Sequence, residues 1–119
     1  MIFNYCLFKV SDNSNATYVK CFNVCSKSNN FIGSSYFVSV KYIKGKGRFA
    51  KGETIKGIVI RCRKKFDRQT GNFLRFDLNE VILFNEKNEI PNNRTFGVLP
   101  LELRRKKLLK LLCLSYCFI

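Results

Sequence analysis

The residues that could do chemistry in this chain are cations. Between Arg63 and Arg68 lie four of them, Arg63, Lys64, Lys65 and Arg68, opposed only by Asp67. A second group, Lys44, Lys46, Arg48 and Lys51, is threaded among Gly45, Gly47 and Gly52, and Lys56, Arg61 and Arg75 extend the two groups along the chain. Glycine lets a backbone approach phosphates closely while lysine and arginine neutralise them, so the pattern predicts polyanion binding by charge, without base-specific chemistry.

No comparable constellation supports catalysis. The chain has no histidine, and its carboxylates (Asp12, Glu53, Asp67, Asp77, Glu80, Glu86, Glu89, Glu102) stand singly among cations, so neither an acid–base pair nor a nucleophile with its base is expected. Gly47 to Thr54, GRFAKGET, has the glycine spacing of a phosphate-binding loop, but Glu53 occupies the lysine position and would repel the phosphates. Cys21/Cys25 and Cys113/Cys117 have a spacing that raises zinc, yet on a strand such a step separates the sulfurs by about 13 Å. The six cysteines, with Cys6, Cys21, Cys62 and Cys113 inside apolar runs, read as reduced core residues. Neither metal nor cofactor is expected, and the chain reads as no enzyme.

The elements that must position the cations centre on Gly57 to Phe84. Ile58, Ile60 and Cys62 alternate with Val59, Arg61 and Arg63, the period of a half-buried strand with one face turned to water or a polyanion. Thr70-Gly71 predicts a turn, Phe73 to Phe76 a return strand, and the unbroken apolar run Val81 to Phe84 a strand covered on both faces. Ile58, Ile60, Phe76 and Ile82 are expected to hold the core of a small barrel. Upstream, Ile2 to Val10, Tyr18 to Val24 and Phe37 to Ile43 read as strands, the last with Val38, Val40 and Tyr42 on one face. Ser11 to Asn15 reads as a tight turn, and Ser26 to Asn30 and Asn85 to Asn93 as polar loops. Pro100 can open a helical segment in which Leu108, Leu111 and Leu112 share a face, Lys110 falls among them, and the four consecutive cations Arg104, Arg105, Lys106 and Lys107 are exposed. The fold class expected is mainly β: one domain over 1–119, a five-stranded barrel over 1–98 and one or two short helices over 99–119.

Bulk properties agree. At 119 residues the chain can bury one core, and a formal charge of +14 (22 Lys+Arg against 8 Asp+Glu) exceeds what solubility requires. Such self-repulsion is relieved by a polyanionic neighbour, nucleic acid first and an anionic membrane second. The longest apolar stretch, Leu111 to Ile119, falls short of the roughly 18 residues of a membrane span, so none is expected. No targeting presequence is evident ahead of the first apolar run. Abundant Phe, Asn, Lys, Ile and Tyr, with two alanines and no Trp or His, fit AT-rich coding DNA.

The central element resembles the signature of the large-ribosomal-subunit protein fourteen family, which runs here as Gly57-Ile58-Val59-Ile60, Thr70-Gly71, Phe76, Asn79 and Ile82. Val10 to Ser14 looks like the family's first turn, with Asn15 in place of its usual glycine. Lys51-Gly52-Glu53 looks like its approach to the central strand, and Arg94-Thr95-Phe96-Gly97 with Glu102-Leu103-Arg104 like its C-terminal signature. The resemblance implies a five-stranded barrel bound to large-subunit rRNA, an intersubunit face touching small-subunit rRNA, and large-subunit proteins nineteen and three as neighbours. It further implies a face for a ribosome-silencing factor, on which Arg94 and Lys110 match basic positions while Asn93 replaces a threonine. With the AT-rich composition it suggests a protein made in a mitochondrion, with a plastid or an AT-rich bacterium as the alternatives. Two rivals remain: an autonomous barrel binding single-stranded nucleic acid, which needs exposed aromatics where Phe73, Phe76 and Phe84 look core-like, and a secreted cationic protein glycosylated at Asn15 or Asn93.

Overall fold

The computed structural model of the chain describes residues 6–26, 32–105 and 109–119. Strands β1 (Leu7–Val10), β2 (Ala16–Ser26), β3 (Ser35–Ile43), β4 (Thr54–Arg61) and β7 (Glu80–Leu83) close into a barrel in the order β1-β2-β3-β4-β7. Neighbours run antiparallel except where β1 meets β7, with Val10 opposite Val81. Closure gives each of the five barrel strands a neighbour on both sides. Two two-residue strands, β5 (Phe66–Asp67) and β6 (Phe73–Leu74), form a separate hairpin between β4 and β7. Its turn carries Gly71 at a φ of 85°, the left-handed conformation that Thr70-Gly71 predicts. Helices α1 (Glu102–Arg105) and α2 (Leu109–Leu114) follow Pro100.

The expected fold class is therefore observed, but its core divides differently from the expectation. The barrel interior is filled by Phe8, Val19, Cys21, Val38, Val40, Val59, Val81 and Leu83. Ile58, Ile60 and Ile82 are also buried, but in a second core outside the barrel, with Leu99, Leu103 and Leu111, and Phe76 packs partly buried against it. Strand β4 is thus covered on both faces, where alternation had one face open to water or a polyanion. The face of Val59 and Arg61, expected to be open, turns into the barrel, while the face of Ile58 and Ile60 lies outside it and is covered by Leu99, Leu103 and Leu111 of the C-terminal segment. The double cover expected for Val81 to Phe84 is found.

Other departures are local. Tyr42, placed by alternation beside Val38 and Val40, lies at the strand end and is 60% exposed. Of the cysteines, Cys21 and Cys62 are buried, whereas Cys113 and Cys117 are exposed and so are not core residues. Residues 2–5 of the expected first strand, the loop at 27–30 and Leu108 lie outside the described residues. Among the described residues no helix is long and apolar enough to cross a membrane.

Candidate RNA-binding surface

The first cation group sits on the β3–β4 loop, where Lys44, Lys46, Arg48 and Lys51 are all exposed. Its geometry is set by a residue remote in sequence. Asn15, in the β1–β2 turn, donates from Nδ2 to the Phe49 carbonyl at 2.7 Å, and its Oδ1 accepts from the Phe49 amide at 3.1 Å. Its own carbonyl accepts from the Lys44 amide at 2.7 Å. The Asn15 side chain fills the space where Gly47 would carry a Cβ, which would lie 2.6 Å from Asn15 Cγ. Phe49 is buried beneath the loop, and Glu53 closes the loop's far side by accepting from the Ala50 amide at 2.9 Å. The cations therefore project from a braced turn. Lys56, on β4, is half-buried.

The second group follows the other end of β4. Arg63, Lys64, Lys65 and Arg75 are exposed around the β5–β6 hairpin. Asn79, a signature position, accepts from the Arg63 amide through Oδ1 at 2.8 Å and so fixes where this group leaves the barrel. Lys65 Nζ lies 3.8 Å from the centre of the Phe73 ring, which is itself 60% exposed. Phe84 is buried and Phe76 half-buried, so of the three aromatics expected in the core Phe73 is the exception. The strand between the two groups spans 8 residues, roughly 23 Å from first to last, which sets the groups at opposite ends of the barrel instead of on one patch.

Two expected RNA contacts are committed to the protein itself. Arg61 is 7% exposed. Its Nε pairs with Glu80, its Nη1 donates to the Val98 carbonyl at 2.7 Å, and its Nη2 donates to the Phe96 carbonyl at 2.6 Å and to Ser11 Oγ. Alternation places Arg61 on the side of Val59, towards the barrel, and a guanidinium is left there only if its donors are satisfied. Gly97 provides the room: at a φ of 81° it faces the guanidinium so closely that a Cβ would lie 2.7 Å from Nη1. Arg68 is half-buried and pairs with Glu102, Nε to Oε1 at 2.8 Å, while Nη2 donates to the Ile119 carbonyl at 2.7 Å. It docks the hairpin to α1 and the chain end.

At the C-terminal side, Arg94 is exposed and lies over two rings, Phe96 at 5.5 Å and Tyr116 at 5.6 Å. Arg104 is exposed, and Lys110 Nζ donates to the Ile90 carbonyl at 2.8 Å. The Arg105 side chain and all of Lys106 and Lys107 lie outside the described residues. Sequence reasoning missed Asn15 and Asn79 as positioning residues, since nothing local marks a side chain whose partners are tens of residues away. It also missed the exposed rings of β2 and β3, because a strand's outer and inner aromatics look alike in one dimension.

The signature residues of the central element now have places. Ile58 and Ile82 are direct cross-strand partners on β4 and β7, Gly57 pairs with Leu83, and the hairpin of Thr70-Gly71 is the excursion between those strands. The family model described as ribosomal protein L14p/L23e matches residues 1–119, the whole chain. A match of that extent, on a closed barrel whose signature residues pair across two of its strands, makes the chain a member of the ribosomal protein L14p/L23e family, and so a structural protein of the large ribosomal subunit.

Proposed function

We propose that the chain binds large-subunit rRNA directly, through two separate cation groups at the ends of its barrel. Lys44, Lys46, Arg48 and Lys51 form one group and Arg63, Lys64, Lys65 and Arg75 the other, with Lys56 beside the first. The observation that carries this reading is the exposure of all eight on loops and hairpin ends, while Arg61 and Arg68 are taken up internally. Phosphate neutralisation of that extent gives log K against log salt a slope of about −6 to −7. The measurement is a salt titration of the purified chain on a large-subunit rRNA fragment, and a flat response would overturn the reading.

The C-terminal face, with Arg94 lying over two rings and Arg104 and Lys110 exposed, is the part we assign to the intersubunit interface. Small-subunit rRNA is its partner there, with a ribosome-silencing factor competing for the same face and large-subunit proteins nineteen and three alongside. The AT-rich residue usage supports a mitochondrial ribosome as the particle. Sedimentation of a mitochondrial lysate should place the chain in the large-subunit peak and in joined ribosomes. Its recovery away from both would refute the assignment.

A further inference from the structure

The outer face of β2 and β3 carries rings that phosphate binding leaves without a role. Val19, Cys21, Val38 and Val40 point inward and are fully enclosed, so alternation turns Tyr18, Lys20 and Phe22 of β2, and Phe37 and Lys41 of β3, outward. Tyr18, Phe22, Phe37 and Tyr42 are 39%, 37%, 40% and 60% exposed. They stand as two pairs. Tyr18 meets Tyr42 edge-on with centroids 6.1 Å apart, and Phe22 lies against Phe37 at 6.4 Å with 24° between the planes. Along β2 the pairs are four residues apart, roughly 13 Å. Exposed aromatic surface of this kind marks an interaction site.

Charge selects the occupant. From Asn13 to Gly52 the chain holds seven cations and no carboxylate. Lys9 lies opposite Tyr18 in the β1–β2 register, Lys20 falls between Tyr18 and Phe22, and Lys41 precedes Tyr42. Lys44 then leads directly from the end of β3 into the basic loop. An apolar protein face would use the rings but not the lysines. A duplex would use the lysines but not the rings, because its bases are already stacked on one another. Rings and cations together, with no carboxylate, fit an unpaired strand, whose bases offer free π faces and whose phosphates need neutralising.

We propose that this outer face holds an unpaired RNA segment, its bases stacked on the Tyr18/Tyr42 and Phe22/Phe37 pairs and its phosphates running past Lys20 and Lys41 to the basic loop. The inference rests on the RNA-binding reading above and adds to it a site for bases. The test uses the full chain with a short mixed-sequence single-stranded RNA, and with the same strand annealed to its complement. Leucine at Tyr18, Phe22, Phe37 and Tyr42 keeps the surface apolar and removes the π faces. Single-strand binding should weaken at least about tenfold per ring pair, while duplex binding and Tm stay the same. In the unaltered chain, 2-aminopurine placed in the single strand should lose fluorescence on binding, which needs no variant to fold. Unchanged single-strand affinity in the leucine variants, equal loss for both RNA forms, or unquenched emission would each overturn the proposal. Glutamine at Lys46 and Arg48 separates the two readings. Loss of RNA binding there without any effect at the rings overturns the stacking site alone, and no effect at either place together with a flat salt response of the unaltered chain overturns RNA binding itself.

Discussion

Arg61 is a buried guanidinium at the junction of β4 and β7, with every nitrogen of its fork engaged inside the protein. In one dimension it is one more cation beside Arg63 and Lys64, whereas in the fold it ties β4 to Glu80 on β7, Ser11 after β1 and the carbonyls of Phe96 and Val98. Replacing it with methionine leaves the Glu80 carboxylate, whose side chain is 13% exposed, without its partner, and should cost about 3–5 kcal/mol in denaturant unfolding. The salt slope of RNA binding by the folded fraction should not change, in contrast to Lys46→Gln. Lysine cannot rescue the site, since it lacks the planar fork that reaches several acceptors at once. Tyr36 offers a test by pH. Burial in the barrel raises its pKa above the ordinary 10.0, with nearby Cys21 adding to the rise and a Ser34 hydrogen bond opposing it. The folded state therefore holds this proton more tightly than the unfolded chain, so its contribution is intact below pH 10 and is lost as pH climbs through the raised value. Tyr36→Phe should flatten that alkaline decline, read as Tm against pH.

The turns and loops show coupling between elements that no single stretch reveals. The basic β3–β4 loop owes its shape to the β1–β2 turn: the Asn15 amide brackets the Phe49 backbone, and Gly47 is bare because the Asn15 side chain lies against it. Asn15 has no positive φ; among the described non-glycine residues only Asn88 does, so the asparagine serves through its side chain. Asn15→Gly should lower stability by about 1–2 kcal/mol and speed hydrogen exchange at the Phe49 amide. Gly47→Ala should be costly in the unaltered chain and nearly neutral once Asn15→Gly has removed the facing side chain, a coupling that a double-mutant cycle measures directly. Strand positions and most turns were legible in the sequence, because alternation and turn formers act locally. The clasp was not, since Asn15 and Phe49 meet only after β2 and β3 have paired.

For the whole molecule, the decisive feature is that eight of the exposed cations behind its charge of +14 stand in two groups at opposite ends of one barrel. If the ends act independently, glutamine at Lys44, Lys46, Arg48 and Lys51 should flatten the salt slope by about 3 and leave the rest, with little change in Tm. A slope that stayed the same would show that the loop touches no phosphate. Read in one dimension, the chain is already mainly β, strongly cationic, without a catalytic constellation, and built on the Gly57–Ile82 signature. These are matters of composition, local alternation and spacing, which survive projection onto a line. Which face of β4 meets what is settled only in three dimensions. Alternation separates Ile58 and Ile60 from Val59 and Arg61, but it does not say that the C-terminal leucines cover the first pair, or that Glu80 and Ser11 hold the guanidinium of the second. Both facts depend on chain segments that come together only when the barrel closes, and that closure separates the cations left exposed from those that hold the fold.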